Sequence, residues 1–99
     1  MQAKSIDFDR PRLDLHGAFV RRADLSGASL LHANLDGADA TNAAFQGADF
    51  AGASMKGTIL RGADLSDAKN LTIDQLSSAI IDGSTVLPNY IDRSLLKFQ

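Results

Sequence analysis

Few residues of this chain have the types and spacing that catalysis or metal binding requires. The sequence contains two histidines, His16 and His32, and no cysteine, which excludes disulfides, zinc ribbons and thiol nucleophiles. The two histidines fall at different positions of the repeat described below, so a shared metal ion is not expected. No serine has a neighbouring His–Asp arrangement of the kind that activates a nucleophile. We therefore predict no catalytic residue, no metal ligand and no cofactor, and we interpret the chain as a non-enzyme.

The aspartates recur too regularly for a catalytic pair. Five of them are separated by multiples of five residues: Asp14, Asp24, Asp39, Asp49 and Asp64. Such recurrence favours hydrogen bonds from each carboxylate to its local backbone over general acid or base catalysis. The spacing also indicates that the elements carrying these side chains repeat every five residues.

A five-residue unit repeats from Leu13 to Thr72. Its first position is alanine in ten of twelve units, and its third position is apolar in eleven of twelve. The large side chains predicted to form the core are Leu15, Leu25, Leu30, Leu35, Phe45, Phe50, Met55, Leu60 and Leu65. The fifth position holds seven of the eight glycines, and Asn, Asp and His also occur there. Because these residues tolerate positive φ better than most, the fifth position is predicted to be a turn.

A period of five fits neither a helix nor a continuous strand. On an α-helix, each fifth residue is rotated by about 140° and no single apolar face results. On an unbroken strand, an odd step sends alternate residues to opposite faces of the sheet. If each unit is instead a short extended side followed by a corner, its first and third residues point inward every time. The sequence therefore predicts an all-β solenoid.

Three units carry the pattern with little change: Ala-Asp-Leu-Ser-Gly at 23–27, Ala-Asn-Leu-Asp-Gly at 33–37 and Ala-Asp-Leu-Ser-Asp at 63–67. In these units the chain resembles pentapeptide-repeat proteins. The resemblance implies a right-handed quadrilateral β-helix with four five-residue sides per coil, and hence about three coils with residues twenty apart stacked on one another. Asn70 then falls in a core column. Because a buried amide needs hydrogen-bond partners, we interpret Asn70 as a corner residue instead.

We divide the chain into an N-terminal cap segment (1–12), the repeat body (13–72) and a C-terminal cap helix with its tail (73–99). An open solenoid end exposes apolar side chains and unpaired backbone groups, so caps are expected at both ends. At the N-terminal end, Ile6 and Phe8 are expected to cover the first coil.

The period of the sequence changes after the repeat body. Helical spacing and a capping-box pattern at Thr72 and Gln75 predict a short capping helix over 73–80. A turn at Asp82 and a short extended piece ending at Pro88 are expected to follow.

The C-terminal tail is more apolar than a free tail normally is. Its large side chains include Tyr90, Leu95, Leu96 and Phe98. Two interpretations stay open: the tail packs on its own solenoid, or it packs on a second copy and forms a homodimer.

Some outward positions carry apolar residues that a solenoid does not require. Stacking by twenty places Leu31, Ala51 and Leu71 in one apolar stripe, and it places Phe19 and Ile59 on another side around Asp39. Arg21, Arg22 and Arg61 form a small basic patch near Phe19. These residues are either covered by the cap or tail, or they form a face that binds a partner. Solvated arginines are the plainer interpretation of the patch.

Composition and charge restrict the function further. The net charge of −2 arises from 12 acidic and 10 basic residues, which does not favour direct nucleic-acid binding. No apolar run is long enough to span a bilayer, so a cytoplasmic location is expected. We predict an interaction module that presents rigid faces to a protein partner or to another copy of itself. The alternative, implied by the resemblance, is a DNA mimic that binds a type II topoisomerase and protects against a drug or toxin.

Overall fold

The computed structural model describes residues 12–96, which form a β-solenoid. Isolated parallel bridges join residues twenty apart: Asp14 to Asn34 and on to Ser54, Phe19 to Asp39 to Ile59, Asp24 to Ala44 to Asp64, and Ser29 to Asp49 to Lys69. We call each successive stretch of twenty residues, beginning with 13–32, a level. Each level donates backbone hydrogen bonds to the next, as in the 2.7 Å bond from the Leu25 amide to the Ala44 carbonyl. The predicted twenty-residue register is therefore confirmed over the repeat.

Corners follow the five-residue unit as predicted. The fifth position has positive φ in all eleven units from Gly17 to Asp67, including Arg22 at 60° and Asn42 at 60°. Asn70 also has positive φ, at 63°, and is exposed. It therefore lies at a corner, as the cost of burying an amide predicted, and its side chain donates to the Asp49 carboxylate at 2.9 Å.

The first and third positions of the unit point into the solenoid. Phe45 and Phe50 are fully buried, and their ring centroids lie 5.3 Å apart at an interplanar angle of 56°, a favourable tilted geometry. Leu15 and Leu25, at the N-terminal end of the solenoid, are only partly buried and pack against this core. The other predicted core residues are fully buried: Leu30, Leu35, Met55, Leu60 and Leu65.

The predicted helix is present as α1, Ile73–Ser78, two residues shorter than expected at its C-terminal end. Thr72 and Gln75 form the predicted capping box. The Gln75 amide also donates to the carbonyls of Phe50 and Ala53, at 2.9 and 3.1 Å. This side chain thereby satisfies two backbone acceptors at the end of the repeat while it begins the helix.

Beyond α1 the chain returns to the solenoid in a shifted register. Ile80 bridges to Ile59 and Val86 bridges to Asp64, so the offset grows from twenty residues to twenty-one and then to twenty-two. Thr85 is buried at the position that alanine usually takes, and its hydroxyl donates to the Leu60 carbonyl at 2.8 Å. The sequence Ala-Ile-Ile-Asp-Gly at 79–83 fits the repeat pattern but is out of phase with the five-residue register of Leu13 to Thr72.

The segment after Pro88 packs on its own solenoid. The Tyr90 hydroxyl donates to the Ala68 carbonyl at 2.6 Å and accepts from the Leu71 amide at 3.1 Å. A short 3-10 helix, Arg93–Leu95, is followed by Leu96, which belongs to the buried core cluster. The intramolecular interpretation of the tail is therefore correct for Tyr90 and Leu96. The predictions for Ile6, Phe8 and Phe98 concern positions outside the described residues.

Candidate interaction faces

The recurring aspartates accept hydrogen bonds from the backbone beside the corners. Asp24, Asp49 and Asp64 each accept a hydrogen bond from the backbone amide two residues later, at 2.9–3.1 Å. Hydrogen bonds from Ser26 lower the pKa of Asp24 below its ordinary value. These carboxylates are committed to the local backbone, as their spacing predicted.

Phe19 lies on the outer surface of the solenoid side that also carries Asp39 and Ile59. Its side chain is 85% exposed, although it belongs to the first level of a well-packed body. Ile59, two levels away, is partly buried. We call this side the Phe19 face. Its exposed aromatic ring contributes nothing to the core, so the fold does not explain it.

Basic side chains border the Phe19 face. The Arg21 Nε lies 3.1 Å from the Asp39 carboxylate, and Arg61 is exposed on the same side. The Thr41 hydroxyl donates to Asp39 at 2.6 Å. This hydrogen bond, with a smaller contribution from Arg21, holds the pKa of Asp39 below its ordinary value. Asp39 is therefore ionised at neutral pH and forms an ion pair with Arg21 on the surface of the Phe19 face.

An open cleft of about 270 Å³ lies at the corner next to this face, lined by Arg21, Arg22, Thr41 and Asn42. Thr41 and Asn42 were not predicted as site residues. Stacking by twenty would have found them, because it places Thr41 beside Arg21 and Asn42 beside Arg22. Arg22 is exposed and has no ion pair within residues 12–96.

The predicted stripe of Leu31, Ala51 and Leu71 is shorter than expected. Leu31 is 51% exposed, whereas Leu71 is only 5% exposed and belongs to the core cluster. The inclusion of Leu71 in an outer face was wrong, because Leu71 packs in the core cluster, where its backbone amide donates a hydrogen bond to the Tyr90 hydroxyl. Ala51 is partly buried. The remaining apolar surface on this side, which we call the Leu31 face, is centred on Leu31.

Three of the tail residues predicted to bind a partner lie within the described chain: Tyr90, Leu95 and Leu96. Of these, only Leu95 has a largely exposed side chain that makes no hydrogen bond. It is 62% exposed, while Tyr90 is held by its two hydrogen bonds and Leu96 is buried. The structure therefore separates the predicted tail residues: two stabilise the chain's own C-terminal end and one remains open to solvent.

The histidines do not form a site together. His16 contacts Asp14 at 2.9 Å, and the hydrogen bond to that carboxylate raises the pKa of His16. The His32 ring lies over Gly52 at another corner. Within residues 12–96, no group of three or more His, Asp or Glu side chains could hold a metal ion, and no helix is long and apolar enough to cross a membrane.

Three features define a pentapeptide β-solenoid over the repeat. Parallel bridges join residues twenty apart, the corners have positive φ, and the interior is filled by alanine and large apolar side chains. The pentapeptide-repeat family model matches residues 12–39 and 41–69, in eight copies. The chain belongs to the pentapeptide-repeat family. No match is found among curated proteins.

Similar chains are also found among solved structures. A pentapeptide-repeat protein from the thylakoid lumen of Arabidopsis thaliana is 35% identical, with a TM-score of 0.56 over 77% of this chain and 55% of that one. HetL from the cyanobacterium Nostoc, a pentapeptide-repeat protein involved in heterocyst differentiation regulation, is 35% identical over 78% of this chain and 44% of its own, with a TM-score of 0.35. The plasmid-mediated fluoroquinolone resistance protein QnrB1 is 22% identical over 78% of this chain and 39% of its own, with a TM-score of 0.46. This chain thus spans little more than half of the first of these proteins and less than half of the other two.

Proposed function

We propose that this chain is a non-enzymatic interaction module, built as a right-handed quadrilateral β-helix of about three coils, that binds a protein partner or a second copy of itself through an outer face. The observation that carries the proposal is the exposure of Phe19, 85%, and Leu31, 51%, at outward positions. Large apolar side chains at such positions lose contact with water only when another molecule covers them.

The rigidity of the solenoid supports this function. Each level is held to the next by backbone hydrogen bonds on its sides, and the buried side-chain polar atoms of residues 12–96 all have hydrogen-bond partners. A body of this kind presents its outer side chains in fixed positions, so binding costs little ordering of the module itself.

Photo-crosslinking on the two opposite faces tests the proposal. Benzoylphenylalanine is placed at Phe19, at Leu31 and, as a control, at Ser26 on a third side of the same level. In extract of cells that express the chain, we expect a discrete adduct from Phe19 or Leu31 and none from Ser26. The protein found in the adduct, whether a partner or a second copy of the chain, is then purified. Its affinity is measured for the wild-type chain and for variants in which the Phe19 face or the Leu31 face is altered.

The variants for that measurement are Phe19→Asp and Leu31→Ser. Both introduce residues that the repeat already uses at the same position, as in Asp24 and Ser26, so the melting temperature is expected to stay close to that of the wild type. Affinity should fall roughly tenfold or more in the variant of the binding face. The absence of an adduct at both faces of the folded chain, with a monomeric mass in light scattering, would overturn the proposal.

The proposal includes a cytoplasmic location, which is consistent with a sequence that contains no cysteine.

A DNA mimic that binds a topoisomerase is the weaker alternative. A mimic of duplex DNA needs a continuous acidic surface. The repeat body carries seven aspartates but also five basic residues, and Arg21, Arg22 and Arg61 interrupt the acidic surface. Unchanged gyrase supercoiling in the presence of the full chain is therefore expected.

A further inference from the structure

The cleft beside the Phe19 face contains an arginine that the solenoid does not need. Arg22 lies at a corner with φ 60°, where seven corners of the described chain use glycine. Asn, Asp and His are the other residues that favour this conformation. An arginine there is strained relative to glycine, and its guanidinium has no ion pair within the described chain.

The surroundings of Arg22 are arranged for a single negative charge. Asp39 is bound by the Thr41 hydroxyl at 2.6 Å and by Arg21 at 3.1 Å. It neutralises Arg21, so the residues that line the cleft, taken together with Asp39, retain one net positive charge, on Arg22. A carboxylate matches this charge, and a guanidinium can bind it through two parallel hydrogen bonds.

An apolar contact lies beside this charge. Phe19 precedes Arg22 by three residues, so their Cα atoms are at most about 10 Å apart along the chain. The Phe19 ring is exposed. The cleft and the face therefore offer an aromatic surface and, beside it, a cation that has no ion pair within the described chain, both within reach of side chains of one peptide segment.

We propose that the cleft and Phe19 bind a segment of a protein partner in which a carboxylate side chain lies next to a large apolar one. The inference rests on the proposed function and names the face and the chemistry of the partner. Nucleic acid and anionic lipid surfaces fit less well, because the whole chain carries a net charge of −2 and the Asp39 carboxylate lies beside the cleft. The segment's carboxylate pairs with Arg22 and its apolar side chain covers the Phe19 ring.

The test is an NMR titration of the full chain with a blocked Ala-Ala-Phe-Asp-Ala peptide, which carries one carboxylate. We expect saturable shifts of the Arg22 Nε–H and Phe19 amide signals. The neutral Ala-Ala-Phe-Asn-Ala peptide and inorganic phosphate, as further probes, should bind at least roughly tenfold more weakly than the acidic peptide. The variant Arg22→Gly restores the usual corner residue, so it should keep or raise the melting temperature while the affinity for the acidic peptide falls roughly tenfold or more.

Lys56→Gln is the matched control, because Lys56 is an exposed cation on another side of the solenoid, outside both the cleft and the Phe19 face. It should leave the affinity unchanged. Equal affinity in Arg22→Gly, shifts confined to other residues, or phosphate binding as tight as peptide binding would each overturn the inference. A partner that is lost in Leu31→Ser but kept in Arg22→Gly would overturn the inference and leave the proposed function standing.

Discussion

At the scale of single residues, the corners share one backbone conformation but differ in their neighbours. Gly52 and Gly57 have φ of 68° and 66°. A Cβ at Gly57 would meet nothing closer than 4.0 Å, whereas a Cβ at Gly52 would lie on the His32 ring of the level above. Two glycines with the same φ are thus retained under different steric constraints.

This difference can be measured with a pair of alanine variants. Gly57→Ala is expected to destabilise the fold by about 1–2 kcal/mol, because alanine is strained in the left-handed region. Gly52→Ala should cost about 0.5–1 kcal/mol more, because the His32 ring must move. Urea unfolding of both variants tests this. In a His32→Ala background the two costs should become equal, and equal costs with His32 present would contradict the prediction.

At the scale of elements, the C-terminal helix α1 depends on one reciprocal pair of hydrogen bonds. The backbone N–H of Gln75 donates to the Thr72 hydroxyl at 3.1 Å, and the backbone N–H of Thr72 donates to the Gln75 side-chain Oε1 at 2.9 Å. A six-residue helix has little stability of its own. Its start is therefore set by this capping box and by the burial of Leu76 against the repeat.

Removing the cap should weaken the end of the solenoid. Thr72→Ala is expected to cost about 1 kcal/mol and to speed amide exchange at Leu76 and Ala79, because the first turn loses its side-chain acceptor. Thr72→Ser keeps a hydroxyl at the same place and serves as the control. If the two variants exchange equally fast, the helix is held by packing alone.

At the scale of the whole molecule, the many bonded carboxylates set the response to acid. Hydrogen bonds from Ser54, Thr41 and Ser84 lower the pKa values of Asp36, Asp39 and Asp82, respectively, below the ordinary 3.8. A depressed pKa in the folded state contributes stability that is present above the unfolded value and is lost as the pH falls through the folded value. The raised pKa of His16 has the opposite sign: its contribution is present below 6.5 and is lost as the pH rises through the folded value.

We therefore expect the urea midpoint to fall steadily once the pH drops below about 4. Because the bonded aspartates lie mainly at the surface, solvent screening limits each contribution. Asp39→Asn should lower the midpoint near neutral pH and flatten its acid dependence. A midpoint that stays constant from about pH 6 down to about pH 2 would contradict this account.

Much of the fold could be predicted from particular residues. Alanine at the first position, apolar residues at the third and glycine at the fifth predicted the inward columns and the corners. The twenty-residue register was implied by the resemblance to pentapeptide-repeat proteins. The pattern failed at Leu71 and at 79–83. In both cases the chain beyond the repeat is involved. At Leu71, the tail returns to the end of the repeat and the Tyr90 hydroxyl accepts a hydrogen bond from the Leu71 backbone amide. At 79–83, the insertion of α1 shifts the phase so that Ile80 pairs with Ile59.

The sequence alone determined the repeat, because a local five-residue pattern dictates where each side turns and which side chains point inward. Tertiary structure alone decided which outward residues remain available. Exposure depends on what other segments cover, and that depends on contacts between residues far apart in the chain. Phe19 stays exposed, whereas Leu71 is buried and its backbone amide bonds to Tyr90 of the tail. Arg22 shares a cleft with Asn42 only because successive levels stack.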